Sequence, residues 1–300
     1  MILSICIPVF NQNIERLIKS LELQISKLPD VEIAVIDDGS DPEFKETNKA
    51  LLEKHIYFEN YKNKGRSVIR NQFLEKTTGE YLLFLDGDSE MVRSNFIMRY
   101  LHFITSRTRV ACGGMEIPAK VDKGRELRFK YANEVEQKDF VDRLEYPYEH
   151  FKTNNFIIRR DIFEKFKFAT HVKGYGHEDT LMAFKFKRKR VPVDHIDNPV
   201  MHAYIDTNVE FIDKTKSALK NLAELHALRG EGFSEFVRLL SVYDKLKKKQ
   251  LHILLLILSP FAIPILTLLC KSGVASVAQF NWLKLLLFVV YRQKVKPKKS

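Results

Sequence analysis

Residues 81–89 read YLLFLDGDS. Five apolar residues run unbroken into two aspartates separated by one glycine. Such a run, bounded by turn residues, has the pattern of a strand buried on both faces. Two carboxylates so close repel each other unless a cation or hydrogen bonds hold them. Their oxygens suit a hard divalent cation, Mg2+ or Mn2+. A plain Asp-Gly turn, common after any strand, accounts for the same residues, so the rest of the chain has to decide.

Outward from this stretch, strand and helix patterns alternate. LSICIPVF (3–10) is a short apolar strand. Ile14, Leu17, Ile18, Leu21 and Ile25 then recur at helical spacing. VEIAVIDDGS (31–40) is a second strand, followed by Asp41-Pro42 as a helix cap with proline in the first turn. HIYFEN (55–60) is a third strand, and GRSVIRNQFLEKTTG (65–79) a helix closed by Gly79. The quoted stretch is the fourth strand, and SNFIMRYLHFIT (94–105) the next helix. This order predicts an α/β fold with a mostly parallel sheet covered by helices on both faces. Ligands of such sheets bind beyond the carboxyl ends of the strands. Pro8 to Phe10, Asp37-Asp38 and Asp86-Gly87-Asp88 all fall there.

The second half is less regular. RVACGGMEI (109–117) reads as one strand, and NNFIIRRDIFEKF (154–166) as a strand, a cap at Asp161 and a short helix. HEDTLMAFKFKRK (177–189) is a helix with acids in its first turn, and VDHIDNP (193–199) a short strand. Helices over 207–228 and 233–249 lead to the tail.

Composition narrows the function. The three cysteines are scattered and include no C-x-x-C pair, against both a disulfide framework and a zinc site and in favour of a reducing compartment. The net charge is +11, but residues 241–300 hold eleven Lys/Arg and one acid, whereas residues 1–240 hold 38 basic and 37 acidic residues. A balanced body with a basic tail argues against nucleic acid as partner. The tail is also strongly apolar: LHILLLILSPFAIPILTLLC (251–270) has no charged residue, and FNWLKLLLFVVY (280–291) has only Lys284. Twenty helical residues rise about 30 Å, the hydrocarbon thickness of a bilayer. Pro260 and Pro264 would kink that helix. With KLKKK (245–249) before it and RQKVKPKKS (292–300) behind, the tail reads as a membrane hairpin or an in-plane anchor. A helix pair packed on the body accounts for the same pattern. The apolar start, MILSICIPVF, lacks a basic lead and is read as a strand rather than a signal peptide. No G-x-G-x-x-G follows the first strand and no G-x-x-x-x-G-K-[ST] is present, so dinucleotide and P-loop sites are disfavoured.

The ordered set SICIPVFNQ (4–12), VIDDGS (35–40) and NKGRSVIRNQFLEKTTGEYLLFLDGD (63–88) resembles the family 2 glycosyltransferases. The resemblance covers residues 1–115 closely and reaches to about 230. It implies the glycosyltransferase A fold, a nucleotide-sugar donor (UDP-linked), and a Mn2+ or Mg2+ cofactor. Pro8 and Phe10 would line the base pocket, and Asp38 would bind the uracil or ribose. Gly65–Asn71 would border the nucleotide, with Arg66 or Arg70 nearest its phosphates. Asp86, Gly87 and Asp88 would form the D-x-D motif, Asp88 holding the metal more directly. Ser89 stands where many members carry a further acid.

GYGHEDTLMAFK (174–185) is similar to the acceptor-side loop of inverting members. By that likeness Asp179 would be the general base, Glu178 would help to hold the acceptor, and Tyr175 would stack on a sugar. Two acids opening a helix also simply suit its N-terminus. His202 falls where fold relatives complete the metal shell, with His195 as a weaker competitor. The expected organisation is a catalytic domain over 1–230 (donor half 1–115, acceptor half 116–230) and a membrane-associating tail over 231–300. The implied acceptor is a glycan or lipid-linked sugar of surface polysaccharide assembly, at the cytoplasmic face of a bacterial inner membrane. Two rivals stay open: a nucleotidyltransferase, although PVFNQNIERL (8–17) lacks a glycine loop, and a non-catalytic membrane-tethered binding module.

Overall fold

The computed structural model describes residues 1–172, 174–229 and 231–295. The lysines at 296, 298 and 299, which end the basic tail, lie outside the described residues. The first elements are β1 (Leu3–Val9), α1 (Glu15–Ile25), β2 (Val31–Asp37), α2 (Pro42–Leu51), β3 (Ile56–Glu59) and α3 (Arg66–Lys76). Next come β4 (Tyr81–Leu85), β5 (Ser89–Met91), α4 (Phe96–Phe103), β6 (Val110–Cys112) and β7 (Met115–Glu116). Then follow α5 (Glu126–Tyr131), α6 (Phe140–Glu145), β8 (Asn155–Arg159), α7 (Arg160–Lys165), α8 (Glu178–Lys189), β9 (Val193–His195) and β10 (Val200–His202). The chain ends in α9 (Asn208–Arg229), α10 (Glu231–Phe236), α11 (Arg238–Lys248), α12 (Leu251–Lys271) and α13 (Val277–Lys294).

Two units separate by their internal contacts. The first comprises Met1–Pro118, Gln137–His171 and Glu178–Tyr204; the second comprises Ala119–Glu136, Val172–His177 and Ile205–Ser300. The first holds a seven-stranded sheet of order β3-β2-β1-β4-β8-β6-β9. All its neighbouring pairs are parallel except those of β8, which runs antiparallel to β4 and β6. The α/β reading with a mostly parallel sheet is therefore correct. All five residues of β4 are buried, as a central strand requires. On one side the core is aliphatic, with Leu17, Ile18 and Leu21 of α1 packed with Leu3, Ile5 and Leu83. Another cluster is aromatic: Phe84 stacks on Phe156 at 5.0 Å and meets Phe73 and Phe163 edge-on.

Several local expectations need correction. Gly79 does not close α3, which ends at Lys76 with Thr77 as its cap. Its role is close approach: a Cβ at Gly79 would stand 2.4 Å from Ser4 Oγ. RVACGGMEI is not one strand but β6 and β7, broken at Gly113-Gly114 and belonging to different sheets. Asp161 is not a cap; it lies inside the first turn of α7 and pairs with Arg159. β10 has no counterpart among the expected strands. It pairs antiparallel with β5 and parallel with β7 in a separate three-stranded sheet. All three cysteines are free and buried, and burial lifts their thiol pKa values, that of Cys112 to about 12.

In the second unit α13 is the central apolar helix. Phe280 meets Phe211 of α9 at 4.9 Å, and Phe288 meets Tyr243 of α11 at 5.1 Å. Ser276 and Gln279 form a reciprocal capping box at the start of α13. α12 continues through both Pro260 and Pro264. Pro260 cannot donate to the Leu256 carbonyl, and the Ser259 hydroxyl donates to it instead at 2.8 Å.

Candidate functional site

The parallel register sets the site's edge. Val9 lies opposite Asp37, and Asp37 opposite Glu59, so β1, β2 and β3 end level with one another. Phe10, Asp38 and Asn60 follow directly, and Asp86 follows β4 on the same edge. Phe10 is about half exposed and Pro8 partly so, leaving an aromatic face open beyond β1.

Asp37 and Asp38 have different surroundings. Asp37 Oδ1 accepts from the amides of Gly39 (3.0 Å) and Ser40 (2.8 Å), closing the turn after β2. Gly39 has φ +81°, and a Cβ there would meet the Lys62 backbone at 2.6 Å, so glycine is required. Asp38 is buried: Oδ1 accepts from Asn60 Nδ2 and the Lys64 amide, both at 3.0 Å, and Oδ2 from the Gly65 amide at 2.8 Å. Asp38 thus holds the loop that delivers Gly65 to the start of α3. A carboxylate has about four acceptor positions, so about one stays open beyond these three bonds.

α3 then supplies two arginines one turn apart. Arg70 is fully buried, and its Nη2 donates to Asp86 Oδ1 at 2.7 Å. Its Nη1 reaches the Arg66 carbonyl at 3.5 Å, its guanidinium lies over Phe168, and its Nε has no partner among the described residues. Burial pulls the Arg70 pKa down and Asp86 opposes that pull. Arg66 is more exposed: Nη2 lies 3.6 Å from Asp86 Oδ2, and Nε lies 3.4 Å from Glu178 Oε1.

After β4 the chain turns through Gly87, where a Cβ would press on Ile14 and Gln12 at 3.2–3.3 Å. Ser89 N–H donates to the Asp86 carbonyl at 3.1 Å, and β5 begins. The β5–β10 register sets His202 opposite Ser89, and the Ala203 amide donates to the Asp88 carbonyl. That pairing brings His202 Nδ1 to 3.3 Å from Asp88 Oδ2. Burial, the largest single influence, pushes the Asp88 pKa up, but the hydrogen bond and charge of His202, a backbone hydrogen bond and the Arg66 charge together leave the carboxyl below its ordinary value.

Glu178 and Asp179 open α8. Glu178 is buried against Arg66, whereas Asp179 Oδ1 accepts from the Thr180 amide at 2.6 Å and Oδ2 lies 3.8 Å from Lys152 Nζ. Lys152 was not a sequence candidate. It sits in an irregular segment before β8 with no motif, and only the fold brings it to Asp179.

Six of the expected site residues therefore fall into two groups. Asp86, Arg66, Arg70 and Glu178 form a continuous ion-pair chain. Asp88 and His202 form a pair. Asp86 does not join that pair: among the described residues no three His, Cys, Asp or Glu are grouped as a metal shell. The reason is Arg70, whose buried charge claims the Asp86 carboxylate. His195 drops out as a competitor. It is buried, accepts from Arg143 Nη1 on Nδ1 at 3.2 Å, and donates from Nε2 to the Pro147 carbonyl at 3.0 Å. Burial lowers its pKa to about 4. Tyr175 belongs to the second unit, where its amide donates to Ser217 Oγ at 3.4 Å.

Comparison with known proteins places this geometry in context. Over 197 residues the chain is 27% identical to a GalNAc(5)-diNAcBac-PP-undecaprenol β-1,3-glucosyltransferase of Campylobacter jejuni; the match covers 62% of this chain and 60% of that relative's length. The mannosyltransferase PcManGT from Pyrobaculum calidifontis, solved with GDP-Man and Mn2+, aligns over 97% of this chain and 86% of its own at TM-score 0.60 and 15% identity. S. aureus TarS 1-349, solved with UDP-GlcNAc, aligns over 98% of this chain and 92% of its own at TM-score 0.52 and 16% identity. These structures share the glycosyltransferase A fold of the seven-stranded sheet. The Glycosyl transferase family 2 model matches residues 4–167, more than half the chain and the whole run from β1 past β8. With the D-x-D turn, the loop held by Asp38 and the sheet order on which both depend, the chain belongs to glycosyl transferase family 2.

Proposed function

We propose that this protein transfers a sugar from a UDP-linked nucleotide sugar to a hydroxyl of a glycan or lipid-linked acceptor, with inversion at the anomeric carbon. The observation that carries the reading is the position of Arg66. One guanidinium reaches both Asp86 of the D-x-D turn and Glu178 at the head of α8. Donor-side and acceptor-side acids thus meet at one cation in one unit. The Campylobacter relative, named for a lipid-linked acceptor, and the nucleotide sugars held by the two structures support the choice of substrate classes.

Beyond β1 and β2, Phe10 offers its ring to the base, with Pro8 beside it, and Asp38 offers its remaining acceptor position to the uracil or ribose. Arg66, the exposed arginine of the two, faces the diphosphate, while Arg70 holds Asp86 in place. Asp88 and His202 present one oxygen and one nitrogen side by side, a donor set that fits a Mn2+ or Mg2+ keeping water and substrate phosphate as its other ligands. Such an ion would offset the charge that develops on the departing diphosphate. Asp179 takes the proton of the acceptor hydroxyl as its oxygen attacks the anomeric carbon; the bond to the nucleoside diphosphate breaks on the opposite side. Lys152 Nζ lies 3.8 Å from this carboxylate. Glu178 helps to position the acceptor. The catalytic part extends over residues 1–230, and the tail from 231 associates with a membrane, which suits the cytoplasmic face where lipid-linked surface polysaccharides are built.

Asp179→Asn tests the assignment. It should lower transfer by about 10²–10⁴-fold, the usual contribution of a general base, while UDP binding with Mn2+ stays intact. Full transfer by this variant would refute the role of Asp179. Metal-dependent UDP binding with neither transfer nor hydrolysis by the unmodified protein would favour the non-catalytic binding module.

A further inference from the structure

We propose that α12 lies in the plane of an anionic membrane surface and does not cross the bilayer. The inference rests on the membrane reading above and settles how the tail engages lipid. By length and composition α12 is the one described helix able to span a membrane. Its surroundings in the second unit argue otherwise.

Leu254, Ile257, Leu258, Phe261, Ile265 and Leu268 recur at spacings of three and four along α12, and all are exposed, Phe261 at 74% and Leu268 at 70%. They form one apolar stripe along the length of the helix. The opposite side of α12 is partly covered: Ser259 and Cys270 are buried there, and α12 packs against α13 and α9. α9 buries one side but carries Glu210, Asp213, Lys214, Lys216, Lys220 and Glu224, none of them buried. A spanning α12 would take its packed neighbours to the same depth and strand those charges in hydrocarbon. A helix lying flat immerses only its exposed stripe.

Charge selects the occupant. Lys245, Lys247, Lys248 and Lys249 are all exposed and end in the left-handed turn at Gln250 (φ 58°) that starts α12. Lys271 closes its other end. A basic cluster abutting an apolar stripe is complementary to anionic headgroups above acyl chains. A second copy of this chain, paired parallel, would set these lysines against one another, and paired antiparallel would set them against Lys271.

The test uses the full chain with vesicles of phosphatidylcholine, with and without phosphatidylglycerol. Flotation should be strong only with the anionic lipid. Each lysine-to-glutamine change among the four should weaken it by about fivefold, as expected for one basic side chain near such a surface. Phe261→Glu with Leu268→Glu should abolish flotation with melting temperature unchanged, since both sites are exposed. Fluorescent labels on Leu254→Cys, Phe261→Cys and Leu268→Cys, the native cysteines being buried, should all be quenched at one shallow depth. A label at 261 deeper than those at 254 and 268 would overturn the in-plane arrangement and leave the membrane reading standing. Absence of flotation, or a dimer that Phe261→Glu dissociates, would overturn both.

Discussion

Asp88 Oδ2 and His202 Nδ1 lie 3.3 Å apart because β10 pairs with β5 and sets His202 beside Ser89. The pair comes from segments far apart in the chain, and the small sheet exists where it can join them. If the two side chains share a cation under the nucleotide, His202→Ala should weaken UDP binding in Mn2+ by at least about tenfold, in the range seen when metal-site groups are removed. Binding without metal should change little. Titration calorimetry in Mn2+ and in EDTA separates the two; equal losses in both would point to a structural role.

Arg70 and Asp86 give the second expectation. Removing one partner of a buried pair costs about 3–5 kcal/mol because the other charge is left uncompensated. Asp86 keeps Arg66 at 3.6 Å, which places Arg70→Met at the lower end of that range. Urea unfolding should show the loss, and Arg66→Met, at a more exposed site, should cost far less stability while impairing turnover.

His195 makes stability depend on pH. Its folded-state pKa falls from 6.5 to about 4 through burial, with the Arg143 and His150 charges adding to the fall and the Pro147 carbonyl opposing it. A group held neutral in the fold binds protons in the unfolded chain first. Its contribution is therefore full above pH 6.5 and is lost as pH falls from 6.5 towards 4. His195→Gln should flatten the stability profile across that window. An unchanged profile would contradict the buried neutral imidazole.

Gly79→Ala should destabilise the protein although Gly79 looks like a helix terminator. Its Cβ would meet Ser4 Oγ and the Ser4 amide at 2.4–2.5 Å, inside the β1–β4 pairing. Overpacking of this kind costs about 1–3 kcal/mol, read as a lower melting temperature. Ser4→Gly in the same chain should not restore it, since the backbone amide still clashes.

The sequence carried the first half of the fold because each strand there is a short apolar run ending in polar turn residues, and each helix shows its stripe. YLLFL became the buried β4, and Leu17, Ile18 and Leu21 became the inner face of α1, with Ile14 buried at its cap. β6, β7 and β10 have two or three residues each, too few for a period to show, and Gly113-Gly114 hides a change of sheet. Asp86, Asp88, Glu178 and Asp179 were legible as acids at element ends. Their partners were not. Arg70 has the look of a surface arginine, and its burial follows only once Asp86 and Phe168 enclose it. Lys152 lies in the irregular segment before β8, and nothing local points it to α8.

The most direct test of the central claim is donor turnover. Full-length protein with Mn2+ is offered a panel of UDP- and GDP-sugars, and release of the nucleoside diphosphate is measured beside an Asp88→Ala control, with metal-dependent nucleotide binding followed in parallel. The expected result is release from a UDP-sugar, accelerated by a lipid-linked glycan acceptor and lost in the control. No release from any donor, together with no metal-dependent nucleotide binding, would mean that FLDGDS (84–89) is a turn between β4 and β5 and nothing more.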